Sequence, residues 1–206
     1  MENNLSKKIS ELTKNTKAKF LSEETVYEDS FLKLIKETYL LPNEKVITRD
    51  RVIKNQNKEA VIMIVETVEN KYLIVIQNRI DQITSIEFPA GYIEEKESIE
   101  EAAQRELLEE TGYLAQSIKV IDHYYAQLGI DSGIVNIVFM EGCIKVGNQS
   151  LGETEYINCT ELTLDELEEL FENHTINSVG CRLAFLDLIN LKEKENKEKV
   201  EINEKK

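Results

Sequence analysis

Tryptophan is absent from this chain of 206 residues, proline and histidine occur twice each, and cysteine occurs three times. The cysteines, Cys143, Cys159 and Cys181, are far apart and form no C-x-x-C pair. Their odd number and wide spacing disfavour a disulfide framework and a structural zinc site, and they predict reduced thiols in a cytosolic protein. Because neither histidine stands in a recognisable dyad pattern with a cysteine, thiol catalysis is also disfavoured.

Long apolar runs are missing as well. No stretch of about 18 or more apolar residues occurs, so the sequence predicts no membrane-spanning helix. The N-terminal segment MENNLSKKISELTKNTKAKF lacks the apolar middle of a secretory signal. We therefore expect a cytoplasmic protein with no membrane partner.

Basic residues are outnumbered, with 25 lysines and arginines against 39 aspartates and glutamates and a net charge of −14. Such a surface repels the nucleic-acid backbone, so we expect no nucleic-acid partner. An anionic small molecule would meet the same repulsion, unless the carboxylates held a cation between them. The hydrophobic fraction of 41% is sufficient for a folded core.

The N-terminal part of the chain predicts two segments. Residues 1–24 are polar, lysine-rich and weakly patterned, which indicates a polar extension with a frayed helix. From Phe31 the text becomes strand-like, and FLKLIKETYLL leads through the turn residues Pro42 and Asn43 into VITRDRVIK. This pattern predicts a β-hairpin region over residues 25–58.

Residues 59–191 predict a mixed α/β domain. AVIMIVET and YLIVIQ are nearly continuous and rich in β-branched residues, which is typical of strands covered on both faces. Further strands are predicted in VIDHYYAQ and IVNIVFMEGCIKV. A capping box at Ser98 and Glu101, followed by Gly112 at the position of a left-handed cap, predicts a helix between them.

Two more helices follow, one from the capping box at Thr163 to about Phe171 and one from about Asn177 to Leu191. A mixed β-sheet sandwiched between helices is therefore the expected α/β fold, with the hairpin as an N-terminal extension. The alternating charges of residues 192–206 predict a disordered tail.

A spaced set of glycine, glutamate and arginine residues occupies positions 91–112, GYIEEKESIEEAAQRELLEETG. Glu109 and Glu110 follow Glu106 by three and four residues, so the three carboxylates lie close together on one helical face. A hard divalent cation would relieve their repulsion, and Mg²⁺ typically leaves coordination sites for water and phosphate. Arg105 is placed to orient these carboxylates, and Glu97, at the start of the helix, is placed to reach the same cluster.

An exposed acidic helix would also be rich in glutamate, but it would not explain the full spacing that follows Gly91. That spacing, Gly-x5-Glu-x7-Arg-Glu-aliphatic-x-Glu-Glu-x-Gly, resembles the Nudix box at every polar position, and Tyr113 replaces only the final aliphatic residue. The chain is thus similar to the Nudix hydrolases, and the resemblance implies the Nudix fold.

The resemblance narrows further around the box. The segment from Glu87 to Gly91, EFPAG, resembles the E-x-P-A-G sequence of ADP-ribose pyrophosphatases and related nucleoside-diphosphate-sugar hydrolases. The segment QNR that ends at Arg79 resembles their Q-x-R, whose arginine faces the substrate phosphate. The similarity covers roughly residues 25–191, and the box is its most specific part.

By this resemblance the chain holds Mg²⁺ or Mn²⁺ and hydrolyses a diphosphate bond. The implied metal ligands are the carbonyl of Ala90 and the carboxylates of Glu106, Glu109 and Glu110. Glu97 and Arg105 complete the implied catalytic set. The candidate substrate-binding residues are Arg79, Arg51 and Glu87. Arg79 could equally be an ordinary arginine at a strand end, and for Arg51 the ordinary surface role is favoured.

The loop after the YY strand departs from the pattern of the ADP-ribose group. Leu128 stands at the position of the usual proline, and Gly133 stands at that of a glutamate proposed as general base. Asp131 is the nearest acidic substitute and is a candidate catalytic residue. Glu97 or Glu109 is the alternative base. The absence of tryptophan also limits base stacking to tyrosine, phenylalanine or histidine.

The implied reaction is hydrolysis of a nucleoside diphosphate linked to a second group, with ADP-ribose giving AMP and ribose 5-phosphate as the favoured case. A sugar nucleotide, NADH or a dinucleoside polyphosphate is an alternative substrate. A nucleotide-sensing protein of the same fold is an alternative without catalysis, but the glutamates of the box are intact. The resemblance and the apolar hairpin together predict a homodimer.

Overall fold

The computed structural model describes residues 4–14, 16–78 and 83–204, and the side chains of residues 198, 199 and 201–204 are not described. The chain forms two compact units. The first comprises Met1–Asn57 together with Gln127–Gly133, and the second comprises Lys58–Ala126 and Ile134–Lys206.

The first unit contains helix α1 (Asn4–Leu12) and a three-stranded antiparallel sheet of β1 (Lys19–Glu28), β2 (Leu32–Leu40) and β3 (Val46–Lys54). The predicted hairpin corresponds to β2 and β3. The strand β1 begins inside the segment expected to be a polar extension, and every residue in it is exposed. Because every residue of the strand is exposed, hydrophobic patterning does not report its pairing with β2.

The loop Gln127–Gly133 belongs to the same unit. The backbone N–H of Val52 donates to the carbonyl of Ile130 at 2.8 Å. Lys54 Nζ lies 2.5 Å from Oδ2 of Asp131. The backbone bond and the ion pair fix the loop to the end of β3.

The second unit is an α/β sandwich. Its elements are β4 (Ala60–Thr67), β5 (Tyr72–Asn78), β6 (Thr84–Glu87), β7 (Ala90–Tyr92), α2 (Ile99–Thr111), β8 (Tyr113–Leu114), β9 (Ser117–Tyr125), β10 (Ile134–Lys145), β11 (Ile157–Leu162), α3 (Leu164–Glu172) and α4 (Val179–Glu204). The main strand order is β11-β5-β4-β10-β8, with β6 on β5, β7 on β4 and β9 on β10. The sheet is mixed, because β4 and β10 are parallel and the other pairs are antiparallel.

The side chains of β4 alternate between two cores. Val61 and Met63 pack with Leu107 of α2, whereas Ile62 and Ile64 pack with the face covered by α3 and α4. Both faces of the strand are therefore covered, which explains why its sequence is apolar without alternation. This arrangement confirms the expected mixed sheet between helices.

The helix α4 continues to Glu204, through the segment expected to be a disordered tail. Lysine and glutamate are strong helix formers, and a helix that is already nucleated adds such residues at little cost. Lys192 also anchors the extension, since its Nζ lies 2.9 and 3.0 Å from the two carboxylate oxygens of Glu66. Composition alone indicated a solvated tail, because it does not show that a formed helix precedes this segment. No helix among the described residues is long and apolar enough to span a bilayer.

Candidate active site

The segment between β6 and β7 is pinned in place before it reaches the helix. The backbone N–H of Phe88 donates to Sγ of Cys181 at 3.4 Å, and the carbonyl of Pro89 accepts from the N–H of Met63 at 2.9 Å. Phe88 is buried and packs against Phe171. These contacts fix the backbone of the EFPAG segment to β4, α3 and α4, directly before the chain continues into β7.

Gly91 lies directly against the carboxylate of Glu106. A Cβ built on Gly91 would stand 2.0 Å from Cδ and 2.2 Å from Oε1 of Glu106. No pair of non-bonded heavy atoms tolerates such a distance, so a side chain at position 91 would displace the carboxylate. The glycine of the motif is therefore required by the close approach of the strand to the helix.

The helix α2 has the predicted ends. Ser98 accepts from the N–H of Glu101, whose side chain accepts in turn from the N–H of Ser98. Gly112 closes the helix in the left-handed conformation with φ of 78°. The two caps fix the register in which Glu106 and Glu110 share one face.

Arg105 binds three carboxylates of the cluster. Its Nε and Nη2 donate to the two oxygens of Glu97 at 2.7 and 2.8 Å, and its Nη1 donates to Glu106 at 2.8 Å and Glu109 at 3.2 Å. A further bond, of 3.0 Å, reaches the carbonyl of Tyr92. Arg105 thus acts as a clamp between the loop before α2 and the helix itself, as its position in the motif predicts.

The arginine also determines the charge state of Glu97. Its hydrogen bonds are the main reason that the pKa of Glu97 falls to about 2. Such a carboxylate is ionised at any working pH and is a weak proton acceptor. The geometry favours an orienting role for Glu97 over the role of general base.

Glu110 is the most buried carboxylate of the cluster, with 7% of its surface exposed. Its pKa is raised to about 8, mainly by burial and also by the charges of Glu106, Glu155 and Glu87, although a hydrogen bond of 3.2 Å from the N–H of Ala90 opposes the rise. Burial also raises the pKa of Glu106, although Arg105 opposes it. Burial therefore disfavours the charged form of both carboxylates, and Arg105 offsets this only in part at Glu106.

Glu155 belongs to this site and was missed by the sequence analysis. Its charge raises the pKa of both Glu106 and Glu110, so it lies within electrostatic reach of both. It lies on the loop between β10 and β11, far along the chain from α2. The acidic sequence GETEY was the only local indication of a functional residue here, but its spacing does not connect it to the helix.

The carboxylates fit a hard divalent cation. Among the described residues no three histidine, cysteine, aspartate or glutamate side chains already converge as a metal cage. Mg²⁺ does not need one, since it is commonly held by one or two carboxylates with water and substrate phosphate. Glu106 and Glu110 are two half-buried to buried carboxylates with raised pKa, and a cation between them would remove their mutual repulsion.

Two predicted site residues, Asp131 and Arg51, belong to the first unit. Burial pushes the pKa of Asp131 up, but Lys54 and the N–H of Gly133, which donates at 2.7 Å, outweigh it and leave the pKa below its ordinary value. Arg51 donates to Glu37 at 2.9 Å and to Ser132 at 3.2 Å.

The first unit has a cavity of about 340 Å³, and Arg51 lies in its wall with Glu37, Tyr39, Arg49 and Ile130. Arg51 is thus half-buried at a cavity rather than extended into solvent. Arg79, the predicted phosphate-binding residue, lies outside the described residues.

Known proteins resemble the chain over most of its length. The family model for the NUDIX domain matches residues 56–179. An ADP-ribose pyrophosphatase of Bacillus subtilis is 30% identical over 182 residues, which cover 87% of this chain and 96% of that protein. A methanol dehydrogenase activator of Bacillus methanolicus is 33% identical over 150 residues, covering 72% and 80% of the two chains.

A solved structure described as that of an ADP compounds hydrolase superposes with a TM-score of 0.78 at 22% identity. The superposition covers 87% of this chain and 96% of the other. At this identity the likeness bears on the fold, and it agrees with the sandwich described above.

Proposed function

The chain belongs to the Nudix family and is a Nudix pyrophosphohydrolase, and we propose that it cleaves the diphosphate bond of ADP-ribose with Mg²⁺ or Mn²⁺ as its cation. The products would be AMP and ribose 5-phosphate. The similarity to an ADP-ribose pyrophosphatase along 87% of the chain supports this choice among nucleoside diphosphate compounds. The departures at Leu128 and Gly133 make the substrate the first point to test.

The observation that carries the proposal is the adjacent pair of carboxylates on Glu106 and Glu110, whose charged forms are disfavoured by burial. Glu87 and Glu155 add their charges to the same place, and the pKa of Glu110 reaches about 8. A diphosphate cannot approach these carboxylates unaided, because like charges repel strongly where water is excluded. A bound divalent cation would supply charge neutralisation and a water of lowered pKa.

The surrounding residues would orient this site. Arg105 would hold Glu106 in position through the 2.8 Å bond and keep Glu97 ionised. Gly91 would let the Ala90 backbone approach the helix, which brings the candidate ligand carbonyl near Glu110. Glu109, whose side chain is 45% exposed, would contribute from the solvent side.

We assign the proton-accepting role to Glu155. Asp131 is paired with Lys54, and Glu97 is bound through both oxygens by Arg105. Glu155 accepts a hydrogen bond of 2.8 Å from the N–H of Gly152 and, among the described residues, pairs with no lysine or arginine. Among the described residues, no cationic side chain therefore competes for this carboxylate, as Lys54 and Arg105 do for those of Asp131 and Glu97.

The remaining contacts of the substrate are assigned by resemblance. Glu87 stands within electrostatic reach of Glu110, which is consistent with a place at the substrate. Arg51 is proposed as a substrate-binding residue, and Arg79 would bind the diphosphate. The protein is proposed to be a homodimer, since the first unit leaves Phe20, Leu21 and many other apolar side chains exposed.

The test is a substrate panel of ADP-ribose, ADP-glucose, UDP-glucose, NADH and a dinucleoside tetraphosphate, with products separated by ion-exchange chromatography. ADP-ribose should give equal amounts of AMP and ribose 5-phosphate, with a kcat/KM at least about tenfold above the others. The reaction should stop in EDTA and resume with Mg²⁺ or Mn²⁺. Cleavage of none of these compounds in either metal would overturn the proposal, and a stronger preference for another compound would reassign the substrate.

A further inference from the structure

We propose that Gln149 is a positioning residue of this site, which ties the C-terminal end of α2 to the start of β11 and thereby fixes the loop that carries Glu155 at the end of the helix. The inference rests on the proposed function, because Gln149 matters for turnover only if Glu155 has the role assigned to it above. Gln149 lies outside the Nudix motif, on the connection between β10 and β11.

The first support comes from the end of α2. The last carbonyls of a helix have no partner within it and need donors from elsewhere. Here the donors come from one short stretch of chain. The N–H of Ser150 reaches the carbonyl of Glu109 at 2.8 Å, and Nε2 of Gln149 reaches that of Glu110 at 2.6 Å. The stretch therefore grips the backbone of the two final glutamates of the motif.

The second support is the other bond of the same amide. Nε2 of Gln149 also donates to the carbonyl of Ile157, the first residue of β11, at 3.0 Å. The amide thus joins both ends of the loop formed by residues 150–156. Both of its N–H groups are used, and the side chain is half-buried.

The loop that Gln149 closes carries Glu155. Inside it the N–H of Glu155 donates to the carbonyl of Gly152 at 3.0 Å, and the N–H of Gly152 donates to Oε2 of Glu155 at 2.8 Å. The loop is a compact turn whose base is fixed by Gln149. Because the same amide also bonds the backbone carbonyl of Glu110, Gln149 sets the place of this loop relative to the end of α2.

The structure offers a conservative test in Gln149→Met, which keeps the length of the side chain and removes both donors. We expect kcat to fall about tenfold or more while KM changes less than about threefold, because the loss concerns the arrangement of the reacting groups. Gln116→Met is the matched control, since Gln116 is an exposed glutamine of the same unit. It should leave kcat, KM and Tm unchanged. If Gln149→Met does not fold, Gln149→Asn, with a shorter amide, replaces it.

A double-mutant cycle with Glu155→Gln separates positioning from general stabilisation. If Gln149 acts through Glu155, adding Gln149→Met to Glu155→Gln should lower kcat by less than about twofold. A full additional loss in the double variant would mean that Gln149 acts elsewhere, and the proposal would be wrong. An unchanged kcat in Gln149→Met alone would overturn it equally.

Binding of Mn²⁺ alone, measured from the free-ion signal in electron paramagnetic resonance, provides a readout independent of turnover. Glu155→Gln and Gln149→Met should each raise the dissociation constant of Mn²⁺, and the double variant should raise it no further. If the wild-type protein binds Mn²⁺ but cleaves no nucleoside diphosphate compound, the proposed function fails while this cycle still tests Gln149. Weaker Mn²⁺ binding in Glu155→Gln but not in Gln149→Met would refute the positioning role alone.

Discussion

Gly91 and Glu106 approach each other so closely that a single added carbon on the glycine would lie 2.0 Å from the carboxylate carbon. The contact places the strand β7 and the carbonyl-bearing backbone of Ala90 against the helix that carries the acidic cluster. It explains why the motif begins with glycine, and it links a backbone requirement directly to a candidate cation ligand.

Gly91→Ala should lower kcat by about a hundredfold or more, because the methyl group would push the Glu106 carboxylate out of place. Gly147→Ala is the matched control, since a Cβ there meets no heavy atom within 4 Å. Steady-state kinetics and thermal unfolding of both variants would check this. Near-normal turnover in Gly91→Ala would show that Glu106 can shift without loss of function.

Glu106→Gln and Glu110→Gln should each reduce kcat by orders of magnitude and leave the fold intact. The amide keeps the shape of the side chain but removes the charge that a divalent cation requires. Circular dichroism and kinetics at saturating Mg²⁺ are the measurements. A variant that retained more than about a tenth of the wild-type kcat would contradict its assignment as a ligand.

In EDTA, the stability of the protein should fall as the pH rises. The pKa of Glu110 is about 8 in the folded protein against an ordinary value of 4.5, so between these values the folded state binds more protons than the unfolded chain. The free energy of unfolding therefore decreases from about pH 5 to pH 8. Urea unfolding should show this slope, and Glu110→Gln should flatten it. An equally steep slope in the variant would place the cause elsewhere.

Asp131→Asn should change kcat by no more than about threefold but should lower Tm. The substitution removes the ion pair with Lys54, which helps to fix the loop Gln127–Gly133. The pKa of Asp131 lies below its ordinary value, so its contribution to stability is present above the unfolded pKa and is lost as the pH falls through the folded one. A pH–rate profile that lost its acidic limb in this variant would instead identify Asp131 as the base.

The protein should sediment as a dimer at micromolar concentration. The strand β1 is exposed along its whole length, and Phe20, Val26 and Tyr27 are each about half exposed. A second copy of the chain is the proposed cover for this surface. Val26→Glu should shift the equilibrium towards monomer, and a wild-type monomer in analytical ultracentrifugation would refute the prediction.

The local spacing of residues in the sequence determined the Nudix motif and the helix that carries it. The positions of Gly91, Arg105 and Glu110 predicted the motif, and the caps at Ser98 and Gly112 predicted the ends of the helix. These features depend on residues a few positions apart, so helical geometry alone brings them together. The apolar strands likewise indicated a sheet with helices on both faces.

Tertiary structure decided what lies far apart in sequence. It brought Glu155 within reach of Glu106 and Glu110, and it closed the connecting loop through Gln149. It also paired Asp131 with Lys54, where the sequence had offered that aspartate as a base. Local sequence periodicity does not predict these contacts, because each joins residues that are far apart in the chain. Those of Glu155 and Gln149 form only when the sheet places the connection between β10 and β11 at the C-terminal end of α2.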